Sequence, residues 1–393
     1  MQDEVKHAHC IGAGGIGVSA VAKFLLSRGV AVSGSDTVRS AMTDDLAARG
    51  ATITIGHDAA NIPASCDLVV YTEAAGEDNV ERAEAARRGI RQLGHFGFLG
   101  ELAKTMRTIC VTGTNGKSTT TAMTGKIFED AGMDPTVFVG SLVPGWELGN
   151  LRIGASDILI VEGDEYKRKV LALHPETTLV TNVELDHTDV YKDLADMEAM
   201  FRQLGMQTTK TFFHNAADRA RRIYRGDGTA TLKFFGDAMD AEPRRFEGGY
   251  QLLRLYRSRG FLRRRAIIGD LMLQIPGAFN MMNALAALAI ASEYGIGAHI
   301  ALQTLMNFTG IWMSSPITAT IRLPLPARSP RRKSFSLVGA SCSPSSRIST
   351  TARKNSSTSS SRRSTTLMSL SSRKFTVCKA GRTRRMRSRV WIS

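Results

Sequence analysis

The sequence lacks any apolar run of the about 18 residues that a membrane-spanning helix needs. Its first residues also lack the basic-then-apolar order of a signal peptide. It has few cysteines, and no two of them form a Cys-x-x-Cys pair, which argues against a disulfide framework or a zinc site. The five are Cys10, Cys66, Cys110, Cys342 and Cys378. These absences favour a cytoplasmic protein that is not inserted in a membrane.

Acidic residues are missing from the last 80 positions. Residues 314–393 hold 18 Lys and Arg and 21 Ser but no Asp or Glu, so the net charge of +15 originates there. Residues 1–313 carry 33 basic and 36 acidic side chains, which gives no electrostatic sign of nucleic-acid binding. A segment composed like 314–393 cannot bury enough apolar surface to offset its ordering entropy, so we expect it to be disordered.

The rest of the chain predicts two α/β units. Residues 8–104 alternate short apolar runs with helical patterns, which is typical of βα repeats and a parallel sheet. A second unit begins near Thr108 with an apolar run, a glycine-rich turn and a helical pattern over 119–130. Ligands bind such sheets at the carboxyl ends of the strands, so polar residues there are site candidates. Residues 214–265 are charged and Arg-rich and show no readable pattern.

A phosphate-binding loop follows the first strand of the second unit. Its two glycines let backbone N–H groups turn toward phosphate oxygens, and the following helix N-terminus adds partial positive charge. Lys117 supplies a charge for the β- and γ-phosphates, and Ser118 offers a hydroxyl to Mg²⁺. The loop is shorter than the eight-residue P-loop pattern but keeps these parts. The predicted ATP-binding residues here are Gly113, Thr114, Asn115, Gly116, Lys117, Ser118 and Thr119.

A second glycine-rich turn occupies residues 12–17 and matches G-x-G-x-x-G, with Asp36 nineteen residues after Gly17. The pattern suits a dinucleotide, with pyrophosphate at a helix N-terminus and a carboxylate on a ribose hydroxyl. An NAD-binding oxidoreductase is the default interpretation, but a UDP-sugar also carries a pyrophosphate and a ribose. The candidate residues are Gly12, Gly14, Gly15, Ile16, Gly17 and Asp36.

Polar residues also follow later apolar runs. Glu162 ends one of them, and a carboxylate there suits a magnesium ion shared with Ser118. The segment 182–187 follows the next run and contains His187, whose acidic neighbours favour a metal ligand over a structural role. Asn280 and Asn283 stand three residues apart at a helix start, where they suit either an adenine edge or a simple helix cap.

Five segments in this order resemble the Mur ligase family over residues 8–312. They are HCIGAGGIGVSAVA with VSGSD, VTGTNGKSTTT, VEGDEYKR, TNVELDHTDVY and PGAFNMMNALAAL. The resemblance implies a UDP-sugar-binding Rossmann-like domain at 1–104, a central ATP-binding domain with a mostly parallel sheet at 105–309, and a remnant of a third domain at 310–393. It is greatest to the branch that joins L-alanine to UDP-N-acetylmuramate.

The resemblance also implies a reaction and the residues that serve it. ATP would activate the substrate carboxylate as an acyl phosphate, which the amine of L-alanine then attacks, in peptidoglycan precursor synthesis. A lysine and two Mg²⁺ ions would neutralise a carboxylate and a phosphate that otherwise repel each other. Lys117, Glu162 and His187 would form the catalytic set, with Ser118 and Glu162 on one Mg²⁺ and His187 on a second. Asn182 would lie near the nucleotide, and Asn280 and Asn283 near adenine.

Asn115 leaves the choice of substrate open. The alanine-adding branch often has histidine at this position, whereas asparagine is usual in sister ligases that add a peptide or another amino acid. The assignment to L-alanine therefore depends on the N-terminal glycine motif. An NAD-binding oxidoreductase stays a third possibility on the residues alone.

The sequence departs from the family after Trp312. Family members carry a segment like Asp-Tyr-Gly-His-His-Pro soon after this tryptophan. Plausible codons for it, read one nucleotide out of register, give residues 314–322, and a second family segment gives 345–361 in the same shifted frame. We therefore predict a frameshift near residue 313 and a chain that does not ligate as written. The alternative is a genuine Ser/Arg-rich segment that binds RNA or anionic surfaces, and the chain would then be a non-catalytic nucleotide-binding remnant.

Overall fold

The fold is described from a computed structural model. It covers residues 5–216, 223–235, 239–247, 250–259 and 264–312, and between 239 and 268 only the backbone is described. The expectations for residues 313–393 lie outside the described residues. Within the described part of the chain, no helix is both long and apolar enough to cross a membrane.

The N-terminal sheet has five parallel strands in the order β3-β2-β1-β4-β5. Its strands are β1 His7–Ile11, β2 Ala31–Asp36, β3 Thr52–Ile55, β4 Leu68–Tyr71 and β5 Arg91–Gly94. The helices between them are α1 Ile16–Ser27, α2 Ala41–Ala48, α3 Val80–Arg87 and α4 His95–Ala103. Successive side chains of β4 point to opposite faces of the sheet, so helices cover both faces. Leu68 and Val70 pack with α1 and α4, whereas Val69 packs with Ala85 of α3.

The central sheet has seven strands in the order β12-β11-β10-β6-β9-β7-β8, and all pairs are parallel except β7 with β8. Its strands are β6 Arg107–Thr112, β7 Thr136–Phe138, β8 Leu151–Arg152, β9 Ile158–Glu162, β10 Thr177–Val180, β11 Thr211–Asn215 and β12 Thr231–Phe235. Its helices are α5 Lys117–Asp130, α6 Leu194–Gln207, α7 Ala278–Glu293 and α8 Ala298–Asn307. Ile109 and Val111 of β6 pack with α5, α7 and α8, and Cys110 belongs to the core on the other face with α6.

The α/β class and the mostly parallel central sheet predicted from the sequence are confirmed, and the N-terminal sheet is parallel as predicted. The segment 214–265 forms elements that its sequence did not reveal: the end of β11, strand β12, and most of a three-stranded antiparallel sheet of β13 Met239–Glu247, β14 Tyr250–Arg259 and β15 Arg264–Leu273. Backbone hydrogen bonds can form such strands without a clear apolar alternation, because the ladder does not depend on side-chain type.

Each of these two sheets reverses its strand order around one inner strand. β1 lies between β2 and β4, and β6 lies between β10 and β9. The crevice beyond the carboxyl end of such a strand is where open α/β sheets bind ligands. The glycine turn at 12–17 follows β1 and the loop at 113–116 follows β6, so both glycine-rich segments lie at these crevices.

Helix α1 is packed against the central sheet as well as its own. The ring centroids of Phe24 and Phe138 lie 5.7 Å apart. Asn150 is fully buried and donates from Nδ2 to the carbonyl oxygen of Ile16 (2.6 Å) and to Oγ of Ser19 (3.2 Å). Its Oδ1 accepts a hydrogen bond from Lys23 (3.1 Å). The first turn of α1, which carries the glycine motif, is thereby held to the segment that leads into β8.

Replacing Asn150 with alanine should lower the free energy of unfolding by about 2 kcal/mol, because buried partners on α1 lose their hydrogen bonds. Urea denaturation followed by circular dichroism measures this. The exposed Asn307, at the end of α8, is the matched control, and its alanine variant should change stability by less than about 0.5 kcal/mol. Equal effects of the two substitutions would contradict the role given to Asn150.

Candidate active site

The loop between β6 and α5 is shaped by two glycines with positive φ. Gly113 has φ +122° and Gly116 has φ +83°, conformations that side chains with a Cβ rarely adopt. The loop ends at the N-terminus of α5, whose first backbone N–H groups have no partner within the helix. This geometry suits an anion at the helix start.

Residues after β10 hold the loop in place. The backbone N–H groups of Thr114 and Asn115 donate to the backbone oxygen and to Oδ1 of Asn182, both at 3.0 Å. The Asn182 amide returns a hydrogen bond to the carbonyl oxygen of Asn115 at 2.9 Å. Thr181 Oγ1 donates to the same oxygen at 2.6 Å. Asn182 therefore lies at the loop, where it shapes the backbone.

Lys117 folds back over this loop. Its Nζ donates to the carbonyl oxygens of Gly113 (2.8 Å) and Thr114 (3.1 Å) and to Oε1 of Glu165 (2.9 Å). His187 Nε2 lies 3.5 Å from the same Glu165 oxygen, and His187 has the strained backbone angle φ +54°. Glu165 thus brings Lys117 and His187 together. Burial raises the pKa of Glu165, and the neighbouring Lys117 acts in the opposite direction.

Glu162 lies at the end of β9 beside the start of α5. Its Oε1 accepts a hydrogen bond from Ser118 Oγ (2.7 Å), and its Oε2 accepts one from the backbone N–H of Gly140 (2.6 Å). Burial raises its pKa, while these hydrogen bonds and the charge of Lys117 lower it. The structure therefore places Ser118 and Glu162 together, as the sequence predicted for a shared site.

These side chains fit a magnesium ion that is shared with phosphates. The described residues contain no cluster of three or more His, Cys, Asp or Glu side chains arranged to hold a metal by themselves. Mg²⁺ in nucleotide sites takes few protein ligands and completes its shell with phosphate and water oxygens. Ser118 Oγ and the Glu162 carboxylate are two such ligands. His187 lies beside Glu165 instead, and Glu165 Oε2 is a buried acceptor without a partner among the described residues.

The two asparagines near α7 meet the phosphate loop. A Cβ added at Gly116 would lie 2.3 Å from Oδ1 of Asn283, so this side chain packs directly on the loop. Asn283 Nδ2 donates to Asn280 Oδ1 (3.3 Å), and Asn280 Nδ2 donates to the carbonyl oxygen of Pro276 (2.7 Å). The helix-cap interpretation is wrong, because α7 begins after Gly277 and has no side-chain cap hydrogen bond.

The glycine turn after β1 lies beside a large cavity of about 1050 Å³. Gly12, Gly14, Gly15 and Asp36 line it together. The backbone N–H of Gly14 donates to Oδ2 of Asp36 at 2.7 Å, so the acidic residue lies directly against the turn. His57 also lines this cavity, and its Nδ1 lies 3.1 Å from Glu81, a fully buried carboxylate.

A smaller cavity of about 370 Å³ joins the two glycine-rich segments. Gly15, Ile16 and Gly17 line it from the N-terminal unit, and Lys117 and Glu162 line it from the central unit. Its volume lies within the range typical of ligand sites. The two motifs, which are separated by about 100 residues in the sequence, thus face one space.

Three residues of this region were missed by sequence reasoning. Glu165 belongs to the acidic segment after β9, but only Glu162 was singled out there. Gly140 and His95 line the smaller cavity, and neither is part of a motif. Only Glu165 carried a usable signal, namely its place in a strand-end acidic cluster. Gly140 and His95 reach the site through the packing of distant elements.

A parallel and a mostly parallel sheet, each with a glycine-rich turn at its switch point, are typical of α/β proteins that bind nucleotides. Residues 7–107 match a family described as "Mur ligase family, catalytic domain", and residues 111–291 match "Mur ligase middle domain". The chain belongs to the Mur ligase family.

Several proteins similar to this chain are UDP-N-acetylmuramate–L-alanine ligases. The chain is 38% identical over 314 residues to a UDP-N-acetylmuramate–L-alanine ligase from Salinibacter ruber, covering 78% of this chain and 64% of that protein. It is 32% identical over 318 residues to one from Lawsonia intracellularis, covering 79% and 68%. The crystal structure of a UDP-N-acetylmuramate-alanine ligase from Thermotoga maritima matches with a TM-score of 0.67 at 27% identity, covering 78% and 69%. The chain thus spans about two thirds of the length of these relatives.

Proposed function

We propose that this chain binds ATP and UDP-N-acetylmuramate as the nucleotide-binding part of an ATP-dependent ligase that joins L-alanine to the sugar's carboxylate. Relatives of this name and the family's ATP-dependent chemistry support the proposal. In domain terms, residues 1–104 would bind the UDP-sugar and residues 105–309 would bind ATP. Such a reaction belongs to the cytoplasm, where ATP is available.

The single observation that carries the proposal is the smaller cavity. It is lined by Gly15 and Gly17 of the glycine turn and by Lys117 and Glu162 of the phosphate loop region. A nucleotide sugar held at the turn and ATP held at the loop would therefore present their reacting ends to one space. Bringing two reactants together in this way can supply a large part of a rate enhancement.

The reaction has two balanced steps. A carboxylate oxygen of the sugar attacks the γ-phosphorus of ATP, the bond to the β-phosphate oxygen breaks, and ADP leaves. The amine nitrogen of L-alanine then attacks the acyl carbon, phosphate leaves, and the nitrogen loses a proton. Lys117 would orient the phosphates and offset charge that develops during the first step, in a site partly shielded from water.

The backbone N–H groups of the phosphate loop and α5 would hold the phosphates, with Asn182 and Asn283 supporting the loop. Ser118 and Glu162 would hold one Mg²⁺, and His187 with Glu165 would hold a second cation. Bound Mg²⁺ would offset the negative charge of the phosphates and the carboxylate. Gly12, Gly14 and Asp36 would hold the UDP part beside the larger cavity. Asn280 would lie at the adenine side of the loop.

Phosphate release tests the proposed reaction. Two proteins are compared. One is this chain, and the other is expressed from a gene with a one-base correction near codon 313, which restores the family's reading frame. We expect the corrected version to release phosphate only when ATP, UDP-N-acetylmuramate and L-alanine are all present, and this chain to bind both nucleotides without turnover. The Glu162→Gln variant of the corrected version should lose at least about 100-fold in rate, because a magnesium ligand is removed.

The alternatives give different results in the same experiments. Release that depends on a peptide rather than L-alanine would indicate a sister ligase. Binding of NADH instead of the UDP-sugar, measured by calorimetry, would indicate an oxidoreductase. Full turnover by the uncorrected chain would contradict the proposed frameshift.

A further inference from the structure

The smaller cavity contains a histidine that the reaction above does not use. His95 is the first residue of α4, and its ring lies against the backbone of the glycine turn. A Cβ added at Gly17 would be only 2.8 Å from His95 Nε2. Lys117 and Glu162 line the same cavity, so His95 lies where the two bound nucleotides would meet.

The hydrogen-bonding state of His95 follows from its surroundings. Nδ1 is buried and has no hydrogen-bond partner among the described residues. A buried N–H without an acceptor is rarer and less favourable than a buried lone pair without a donor. Nδ1 is therefore the bare nitrogen, and Nε2 carries the hydrogen. Nε2 is then an N–H donor that a ligand in the cavity can reach.

This donor is uncharged. Burial and, to a smaller extent, the charge of Lys169 lower the pKa of His95 to about 4, while Asp164 acts in the opposite direction. Asp164 itself is paired with Lys169 at 2.6 Å. The imidazole therefore stays neutral across the physiological pH range. A neutral donor can orient an anion and withdraws less charge from it than an ammonium group does.

We propose that His95 donates a hydrogen bond from Nε2 to the carboxylate arm of the nucleotide sugar, and so selects sugars that carry this arm. The inference rests on the proposed function and names the part of the substrate that this residue recognises. A carboxylate that must attack phosphorus has to be held in direction while it keeps its nucleophilicity. His95 makes this contact from the side of the cavity that Gly17 lines, and Lys117 remains available to bind the phosphates.

The test compares two nucleotide sugars that differ in the carboxylate arm. UDP-N-acetylmuramate has it, and UDP-N-acetylglucosamine lacks it. Calorimetry with this chain should show that His95→Phe weakens binding of the first by about ten-fold and of the second by less than about two-fold. His95→Gln keeps a neutral donor and should restore most of the loss. The preference should be constant between about pH 6 and pH 9 because His95 does not titrate there.

Controls separate this role from folding and from the proposed function. His299, exposed on α8, is the matched histidine, and His299→Phe should leave both affinities unchanged. An equal loss for both sugars, no loss at all, or a preference that appears only below about pH 6.5 would overturn the role of His95. If the unmodified chain bound neither sugar, the proposed function itself would be rejected.

Discussion

Replacing Lys117 with methionine should lower the free energy of unfolding by about 3 kcal/mol at pH 8 and abolish measurable binding of a non-hydrolysable ATP analogue. Glu165 is fully buried, and Lys117 donates to it at 2.9 Å. Methionine keeps the length of the side chain but leaves the buried carboxylate without its cation. Urea denaturation and calorimetry measure the two effects.

The effect on stability should depend on pH. The pKa of Glu165 is already raised by burial, and it rises further when Lys117 no longer opposes this. A carboxyl group whose folded-state pKa lies above its unfolded-state pKa of about 4.3 does not destabilise the fold while it is protonated. The free energy of unfolding falls as the pH rises from about 4.3 through the folded-state pKa, because the buried group then ionises. The deficit of Lys117→Met should therefore be small near pH 4 and grow toward pH 8. A deficit that is constant with pH would contradict the explanation.

Two further variants identify the cause. Glu165→Gln in the Lys117→Met background removes the uncompensated charge and should recover about 2 kcal/mol. Lys126, on the same helix, forms a partly exposed pair with Glu129 at 3.2 Å. Lys126→Met should therefore lower stability by less than about 1 kcal/mol. A comparable loss from both lysines would mean that burial of the partner is not what matters.

The local part of this site could be predicted from the sequence. Lys117, Ser118 and the two loop glycines belong to one strand-turn-helix segment, and their relative positions follow from backbone geometry within a few residues. The same holds for Gly14 and Asp36, because the acidic residue ends the adjacent strand β2. The helical pattern over 119–130 was also predicted at its true position, since it coincides with α5.

The contacts between segments could not be predicted. Glu165 pairs with Lys117 across a separation of 48 residues, and Asn283 reaches Gly116 from a helix that follows the whole sheet. His95 and Lys117 line one cavity although they belong to the N-terminal and the central unit, respectively. Such contacts depend on the strand order, which no local pattern reveals. The strands in the charged segment 214–265 could not be predicted, because apolar and polar side chains do not alternate clearly along it.

Replacing Gly116 should also have a large effect on stability and on nucleotide binding. Alanine at this position should lower the free energy of unfolding by about 3 kcal/mol. It should also weaken binding of the non-hydrolysable ATP analogue by at least about 100-fold. The residue has φ +83°, and its added Cβ would lie 2.3 Å from Oδ1 of Asn283. Asn283 is buried and hydrogen-bonded to Asn280, so it cannot move aside without losing that bond. Either the loop or α7 must shift, and the phosphate-binding N–H groups shift with it.

Gly132 separates the clash from the backbone strain. It also has a left-handed backbone, with φ +72°, but a Cβ there would meet nothing within 4 Å. Gly132→Ala should therefore lower stability by only about 1 kcal/mol and leave nucleotide affinity unchanged. Removing the obstacle gives the complementary result: Asn283→Ala in the Gly116→Ala background should recover part of the stability. If both glycine variants lost the same stability and affinity, Asn283 would not be what makes glycine necessary at the start of α5.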